Sequence, residues 1–462
     1  MENFQELLRM RIQALRAAGV YIDDNRLYDG NNNKKFNDDI DDYACHTSEQ
    51  FVEGDYEYPN IPQTLMKREI EGQHLAFKVR ENAMLRLLPD SPLNQDVDFD
   101  NRVYNVKFSP TGDLLYCSSQ QEIRIYDTSD PENWVYLHEI QGFNIRWTIT
   151  DIDLSPCENF IVYSTIDSHV TLVPLSESIP FDNLYNHTPG QMRSYSYELG
   201  NRTNHFGIWS LKFSGQGNEV VGGTTQYSLI VHDLVEDKTV MHVPQVHDDD
   251  INTVCWSDRQ SSNIIYTGSD DSTIKVWDRR TLGRTNNPEG VLVGHREGLT
   301  HISSKGDGVT LISNCKDQTL KLWDIRYMSS MDSYRDFRQT HDYTTGFDYR
   351  WSSYPLETYQ KRLAADRSVM TFRGHQVLST LIRCYFSPME STAQRFIYTG
   401  SSDGVVRIYD SVTGKTVKEL REEQELHMTG NCARDVSWHP TVPVIAATSF
   451  TGHVSTFTLN KN

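Results

Sequence analysis

Two stretches of the chain end on the same words. Tyr266-Thr-Gly-Ser-Asp-Asp271-Ser-Thr-Ile-Lys-Val-Trp277-Asp278-Arg279-Arg280 is followed by Leu311-Ile-Ser-Asn-Cys-Lys-Asp317-Gln-Thr-Leu-Lys-Leu-Trp323-Asp324-Ile325-Arg326, with the two tryptophans 46 residues apart. A period of this length, with Gly-His ahead of a unit and Trp-Asp near its end, marks a four-stranded unit that cannot bury its faces alone. Such units stack into a closed ring, a β-propeller.

The same grammar runs through most of the chain. First strands end at Phe108-Ser-Pro, Leu154-Ser-Pro, Phe213-Ser-Gly, Trp256-Ser-Asp, Ile302-Ser-Ser, Phe386-Ser-Pro and Trp438-His-Pro. Third strands end at Tyr126-Asp, Val173-Pro, His232-Asp, Trp277-Asp, Trp323-Asp, Tyr409-Asp and Phe457-Thr, so seven units are paired in order. The fold expected is all-β: a seven-bladed WD40 β-propeller over residues 73–462. The sequence stops just past the third strand of the last blade, at Asn462. The segment His74-Leu-Ala-Phe-Lys-Val is expected to supply the missing fourth strand and remove an exposed edge.

Ahead of the ring, Phe4, Leu7, Leu8, Ile12 and Leu15 recur at helical spacing, which predicts an amphipathic helix within residues 1–20. Residues 21–72 are acidic and rich in Asn and Asp, a composition that buries little surface and predicts a mostly disordered linker. Two insertions interrupt the repeat, at about 176–204 and about 327–366. The second falls between the third and fourth strands of blade 5 and is rich in aromatics, including Trp351. Its position predicts that it shares a rim with the residues after Trp-Asp, and loops of this length are usually functional or disordered.

Composition excludes several classes. The net charge is −19, which opposes docking on nucleic-acid phosphates or on anionic membranes. No run of 18 apolar residues occurs, and Met1-Glu-Asn-Phe-Gln-Glu is not a signal peptide, so nucleus and cytoplasm are the expected locations. The seven cysteines form no Cys-x-x-Cys pair and read as small buried hydrophobes. No metal or cofactor is expected.

Inside the repeat, His247, His295 and His375 precede blades 4 to 6, while Asp271, Asp317 and Asp403 stand six places before Trp277, Trp323 and Tyr409. With Thr267, Ser313 or Thr399 between them, these residues predict a hydrogen-bonded relay from Asp to His to hydroxyl to indole. A His-Asp-Ser set invites a catalytic reading, but one that recurs in register with a repeat is structural. No enzyme is expected. Arg280 and Arg326 lie outside that network, at the strand ends of adjacent blades. Arg is a planar five-donor anchor, so Arg280, Arg326 and the insertion with Trp351 form a candidate partner rim. The opposite face carries Asp270, Lys316, Arg296 and Gln376 as positional candidates for a second ligand.

Tandem Trp-Asp-x-Arg blades resemble the WD40 substrate receptors of cullin-4 RING ubiquitin ligases. The stretches His247-Asp-Asp-Asp-Ile-Asn-Thr-Val, Phe347-Asp-Tyr-Arg-Trp, Met370-Thr-Phe-Arg-Gly-His, Leu381-Ile-Arg-Cys-Tyr-Phe-Ser-Pro and Arg434-Asp-Val-Ser-Trp-His-Pro are similar to the WD-repeat protein 23 subfamily. The resemblance covers about residues 100–457. It implies a non-catalytic receptor whose Arg280 and Arg326 dock on the adaptor, damage-specific DNA-binding protein 1. It further implies a protein substrate on the opposite face, with a stress-response transcription factor among the substrates. The helix at 4–18 suits either the adaptor or the propeller's own side. Blade 6 ends Tyr409-Asp-Ser-Val without the Arg, so the signature stops at two blades. The alternative is a WD40 scaffold in another nuclear assembly.

Overall fold

The structure, a computed structural model, describes residues 85 and 88–460 apart from 94, 96, 143–144, 176–194, 200–205, 283–286, 341–346, 353, 356–361 and 423–430. Seven four-stranded antiparallel sheets follow one another in chain order. Strand β1 (Ser91–Pro92) stands apart, before the first complete sheet. Blade 1 holds β2 (Asn105–Phe108), β3 (Leu114–Ser118), β4 (Glu122–Asp127) and β5 (Val135–Gln141). Blade 2 holds β6 (Ile149–Leu154), β7 (Phe160–Thr165), β8 (His169–Pro174) and β9 (Tyr195–Glu198). Blade 3 holds β10 (Ile208–Phe213), β11 (Glu219–Thr224), β12 (Leu229–Asp233) and β13 (Lys238–Val243). Blade 4 holds β14 (Ile251–Trp256), β15 (Ile264–Ser269), β16 (Ile274–Asp278) and β17 (Gly290–Leu292). Blade 5 holds β18 (Leu299–Ser304), β19 (Thr310–Cys315), β20 (Leu320–Asp324) and β21 (Met370–Phe372). Blade 6 holds β22 (Cys384–Phe386), β23 (Phe396–Thr399), β24 (Val406–Asp410) and β25 (Thr416–Leu420). Blade 7 combines β26 (Val436–Trp438), β27 (Val444–Thr448) and β28 (Val454–Thr458) with β1.

One register recurs in every blade. The residue in the Trp position faces an aliphatic partner on the second strand: Tyr126 faces Leu115, Val173 faces Ile161, His232 faces Val220, Trp277 faces Ile265, Trp323 faces Leu311, Tyr409 faces Ile397 and Phe457 faces Ile445. Blades 2 and 3 have lost the aromatic and still keep the alignment. Burial on both faces selects it, because a one-residue slip would turn each apolar set around. The core lies between neighbouring blades. Tyr266, Ile274 and Val276 of blade 4 pack with Leu299, Ile302, Leu311 and Trp323 of blade 5.

The ring closes through β1. Ser91 pairs with Thr458 and Pro92 with Phe457. The Asp90 amide donates to the Thr458 carbonyl at 2.9 Å and the Leu93 amide to that of Thr456 at 2.7 Å. Pro92 has no N–H to give and is tolerated because the strand is outermost. Beyond β1 the chain stays on the last blade: the Phe99 amide donates to the Gly452 carbonyl at 2.7 Å and Val454 to that of Val97 at 3.0 Å. Gly452 has φ +95°, and a Cβ there would stand 2.4 Å from the Phe99 carbonyl oxygen, so the seam requires glycine. Leu88, Val97 and Phe99 are buried in this seam, each contributing about 1.5–3 kcal/mol. Closure by an N-terminal strand is thus present, but the strand differs from the expected one. His74–Val79 and the segments 1–20 and 21–72 lie outside the described residues, and Ser91–Pro92 occupies the outer position.

Charged side chains fill the axis. Arg383 of blade 6 reaches Asp151 of blade 2 at 2.9 Å and Asp435 of blade 7 at 3.2 Å. Lys212 of blade 3 joins Asp151 at 2.6 Å, and the Tyr385 hydroxyl donates to Asp435 at 2.8 Å. Burial opposes ionisation of Asp151, yet Arg383, Lys212 and Lys107 hold its carboxyl well below the usual range. The ion cluster ties together blades far apart in sequence.

Both insertions need correction. The range 176–204 contains β9, the fourth strand of blade 2. The second insertion leaves β20 through a 3-10 turn at Ile325–Tyr327 and does not stay on the rim. Ser329 exchanges backbone hydrogen bonds with Val291 of β17 at 2.8 and 2.9 Å, covering the outer edge of blade 4. Helix α1 (Met331–Thr340) then places Tyr334 in a cluster with Val291 and Val293, with Met331 and Phe337 alongside. Among the described cysteines, Cys117, Cys255, Cys315, Cys384 and Cys432 are buried, whereas Cys157 is exposed.

His453 of blade 7 lies beside the seam, 2.7 Å from Asp98 and 3.7 Å from Glu422. Glu422, the less exposed carboxylate, and then Asp98 hold the imidazole up to about 9 against its burial. The folded-state value lies above the ordinary ~6.5, so the stabilisation is complete below that pH and is lost as pH rises through about 9. Thermal melts at about pH 6 and about pH 10 are expected to differ less for His453→Gln than for the parent chain. Equal differences would show that this cation does not clamp the seam.

Candidate functional site

Each blade turns the chain alternately at two faces. Turns between first and second strands, and between third and fourth, lie on what we term the lower face. Turns between second and third strands, with the links between blades, form the upper face. Conserving this alternation puts the Trp-Asp-x-Arg ends below and the relay His and Asp residues above.

The relay forms in blades 4 and 5. His247 Nδ1 lies 2.8 Å from Asp271, its Nε2 lies 2.7 Å from the Thr267 hydroxyl, and the Trp277 indole donates to that hydroxyl at 2.9 Å. In blade 5 the matching distances are 3.1 Å for His295 to Asp317, 2.7 Å to Ser313 and 2.7 Å from the Trp323 indole. The carboxylate fixes the proton on Nδ1, leaving Nε2 to accept from the hydroxyl. Burial pushes His247 down despite Asp271, so the imidazole is neutral. Burial opposes the charge on Asp271, but His247 and its other donors hold the carboxyl far below its ordinary value. Every member is satisfied, and no member is left to attack or protonate a substrate. His295, Cys315 and Asp317 also lie close enough to suggest a metal, with ligand atoms within 4.8 Å of one another. The relay already uses His295 and Asp317, and the Cys315 thiol donates to the Glu297 carbonyl at 3.0 Å.

Blade 6 departs from the expected relay. The Tyr409 hydroxyl, at the far end of its ring, reaches His375 Nδ1 directly at 3.2 Å, and Asn314 of blade 5 meets Nε2 at 2.8 Å. Asp403 pairs instead with Arg407 at 2.7 Å, where blades 4 and 5 carry Lys275 and Lys321. Thr399 donates to the backbone carbonyls of Arg383 and Gly400. A longer aromatic with its own hydroxyl makes the intermediate Thr unnecessary. Burial, with Arg407 second, pushes His375 down to about 3, so it too is neutral.

On the lower face, Arg280 and Arg326 are held alike. Arg280 Nε donates to Asp278 at 2.9 Å and Nη2 at 2.6 Å, and Arg326 donates to Asp324 at 2.9 and 2.5 Å. Asp278 and Asp324 are the acids of the Trp-Asp pairs, so the motif supplies its own clamp. The Arg280 and Arg326 side chains remain 67% and 42% exposed, and the clamp sets the guanidinium plane without hiding it. In blade 6 the equivalent Asp410 takes Arg395 at 2.7 Å, and no Arg follows it.

On the upper face, the structure brings two of the four positional candidates together. Lys316 meets Asp270 at 2.6 Å and lies 4.2 Å from the centre of the Tyr349 ring. Arg296 lines a small pocket with Lys321, Tyr354, Arg362 and Asp366. Gln376 is exposed one link further on, its amide bonded to Ser401 at 2.9 Å. Tyr349 identifies where the insertion has gone: the Ser379 amide, in the link before blade 6, donates to its carbonyl at 2.9 Å. Trp351, 86% exposed, therefore belongs with the upper face and not with the Arg280 and Arg326 rim. The reason is the path up the edge of blade 4, which strand order did not reveal.

Sequence reasoning also passed over Trp147 and Trp209. They stand outside the repeat's Trp position, and that irregularity was the available signal. Their rings meet edge to face at 6.2 Å on the upper side of blades 2 and 3.

The WD domain, G-beta repeat family matches residues 97–127, 238–278, 286–324 and 366–410. The LEC14B protein of Lithospermum erythrorhizon is 40% identical over 360 residues, covering 77% of this chain and 72% of that protein. The LEC14B homolog of Prunus armeniaca is 42% identical, covering 76% and 71%. The DDB1- and CUL4-associated factor 11 homolog of Caenorhabditis elegans is 33% identical, covering 75% of this chain and 59% of that protein.

Three of the four matched stretches carry blades 4 to 6, where relay and substitute can be compared. Ser313→Ala strands the buried Trp323 N–H and His295 Nε2, and is expected to cost about 1–3 kcal/mol. Thr399→Ala is expected to cost less, since the Arg383 carbonyl also accepts from the Gly400 amide. Urea unfolding of both variants checks the order; equal costs would show that the hydroxyl is not a relay member.

Proposed function

Because the chain belongs to the family of WD40-repeat proteins that contains LEC14B, we propose that it is a non-catalytic substrate receptor of a cullin-4 RING ubiquitin ligase. The reading rests on one observation above the others. Two adjacent blades present an Asp-clamped arginine from the same lower rim. The name of the relative from Caenorhabditis elegans, a DDB1- and CUL4-associated factor 11 homolog, points to the same kind of assembly.

In this reading the rim docks on damage-specific DNA-binding protein 1. Asp278 engages two N–H groups of Arg280, and three of the five that a guanidinium carries are left for a partner's carboxylates and carbonyls. Clamping Arg280 before docking lowers the side-chain entropy lost on binding. The upper face holds a protein substrate, and the ligase's catalytic partner transfers ubiquitin to a lysine brought within reach. A stress-response transcription factor is the substrate class that the resemblance implies.

Capture of purified damage-specific DNA-binding protein 1 tests the docking. Arg280→Ala and Arg326→Ala are each expected to weaken binding by about thirtyfold, with melting temperatures unchanged because both side chains are exposed. Full affinity in the double variant would remove the rim from the interface. A parent chain that captures no adaptor would make it a scaffold of another assembly.

A further inference from the structure

Large apolar side chains are exposed on the upper face of blades 2 and 3 in one arc. Trp147 is 51% exposed, Ile166 36% and Tyr227 37%. The arc is contiguous. Trp147 stands two residues before Ile149, which pairs with Thr165 next to Ile166. Ile166 in turn lies against Gly207, where a Cβ would approach it to 3.1 Å. Gly207 precedes Trp209 by two residues and exchanges hydrogen bonds with Thr225, in the same turn as Tyr227. A monomer gains nothing from leaving these rings in water, and such patches mark binding surfaces.

The arc ends on a wall of carboxylates from blade 4. The Trp209 indole donates to Asp250 at 3.1 Å, and the Asp250 amide donates to Asp249 at 2.8 Å. Lys316 is committed to Asp270, and Arg338 to Asp248. Asp249 and Asp250 have no lysine or arginine partner among the described residues. Burial chiefly, then Asp249 and Asp270, push the Asp250 carboxyl up against the pull of the Trp209 indole and of the Lys316 charge, which is paired with Asp270. An incoming cation would relieve this charge, and the exposed Trp147 ring offers it a π face.

We propose that the Trp147–Trp209 arc and Asp250 bind a substrate segment in which a lysine or arginine adjoins a large apolar side chain. The apolar residue enters the arc beside Ile166 and Tyr227, and its cationic neighbour meets Asp249 and Asp250. Charge complementarity selects this occupant. A second copy of the chain carries a net charge of −19, and an anionic membrane carries the same sign. The assignment rests on the reading of the upper face as the substrate face.

The test uses the full chain and three labelled peptides that alternate tryptophan with arginine, glutamate or serine, read by fluorescence anisotropy. The arginine peptide is expected to bind at least about tenfold more tightly than the other two, and to weaken as salt is added. Trp147→Ala is expected to weaken it on the order of thirtyfold. Asp250→Asn keeps an acceptor for the Trp209 indole, removes the charge, and is expected to erase the preference for arginine over serine. Equal binding of the three peptides, or an undiminished preference in both variants, would overturn the proposal. Adaptor capture by the same variants is expected to be unchanged. Loss of adaptor binding by the parent chain would instead strike at the receptor reading, leaving the peptide result intact.

Discussion

A propeller depends on its seam. Six blades here are complete in sequence order, and the seventh has an outer strand only because Ser91 and Pro92 return to lie on Thr458 and Phe457. Without that contact the outer edge of blade 7 is open, and the last strands have lost one side of their core. The seam is short in ladder bonds and strong in what surrounds it: buried Leu88, Val97 and Phe99, a glycine that admits the Phe99 carbonyl, and the His453 cation between two carboxylates. The axial ions work to the same end from inside. Arg383 joins blades 2 and 7 across the ring, so separating blades would leave buried charges uncompensated.

With the ring closed, the repeat divides its residues between holding and binding. The His–hydroxyl–Trp relay is sealed in blades 4 and 5 and replaced in blade 6, where Tyr409 and Asn314 satisfy His375 by another route. What matters in each blade is that the imidazole has two partners, and the chemistry of those partners can change. The Asp of Trp-Asp has the opposite task. It stands at the end of a strand and steers an arginine that remains in solvent. One short motif thus ends in a buried indole and, three residues on, an exposed guanidinium, on adjacent blades that share a rim.

The insertion in blade 5 changes what the upper face can offer. It begins beside Arg326 and climbs the edge of blade 4 through Ser329 and α1. It then sets Tyr349 under Lys316 and Trp351 in solvent. Exposed aromatics consequently appear on the upper side at two places, the insertion over blade 5 and the arc on blades 2 and 3, with the carboxylates of blade 4 between them.

While the Asp clamps emerged from the structure, the sequence by itself determined the number of blades, the strands that carry the Trp position, the relays of blades 4 and 5 and the pairing of Arg280 with Arg326 on adjacent blades. These follow from local spacing: a turn, an alternating strand and a residue six places before an aromatic are all written within one repeat. Blade 6 was legible as a blade but not in its hydrogen bonds, because Asn314 reaches His375 from the neighbouring repeat. The seam strand, the axial ions, the course of the insertion and the Trp147–Trp209 arc were decided only by the tertiary structure. Each depends on residues brought together from distant parts of the chain, as Ser91 and Thr458 are, 367 positions apart. By pattern, His74–Val79 is the stretch expected to cover the open edge; in the ring Ser91–Pro92 lies on Thr458 and Phe457, and its neighbours Leu88, Val97 and Phe99 are buried against blades 6, 7 and 1.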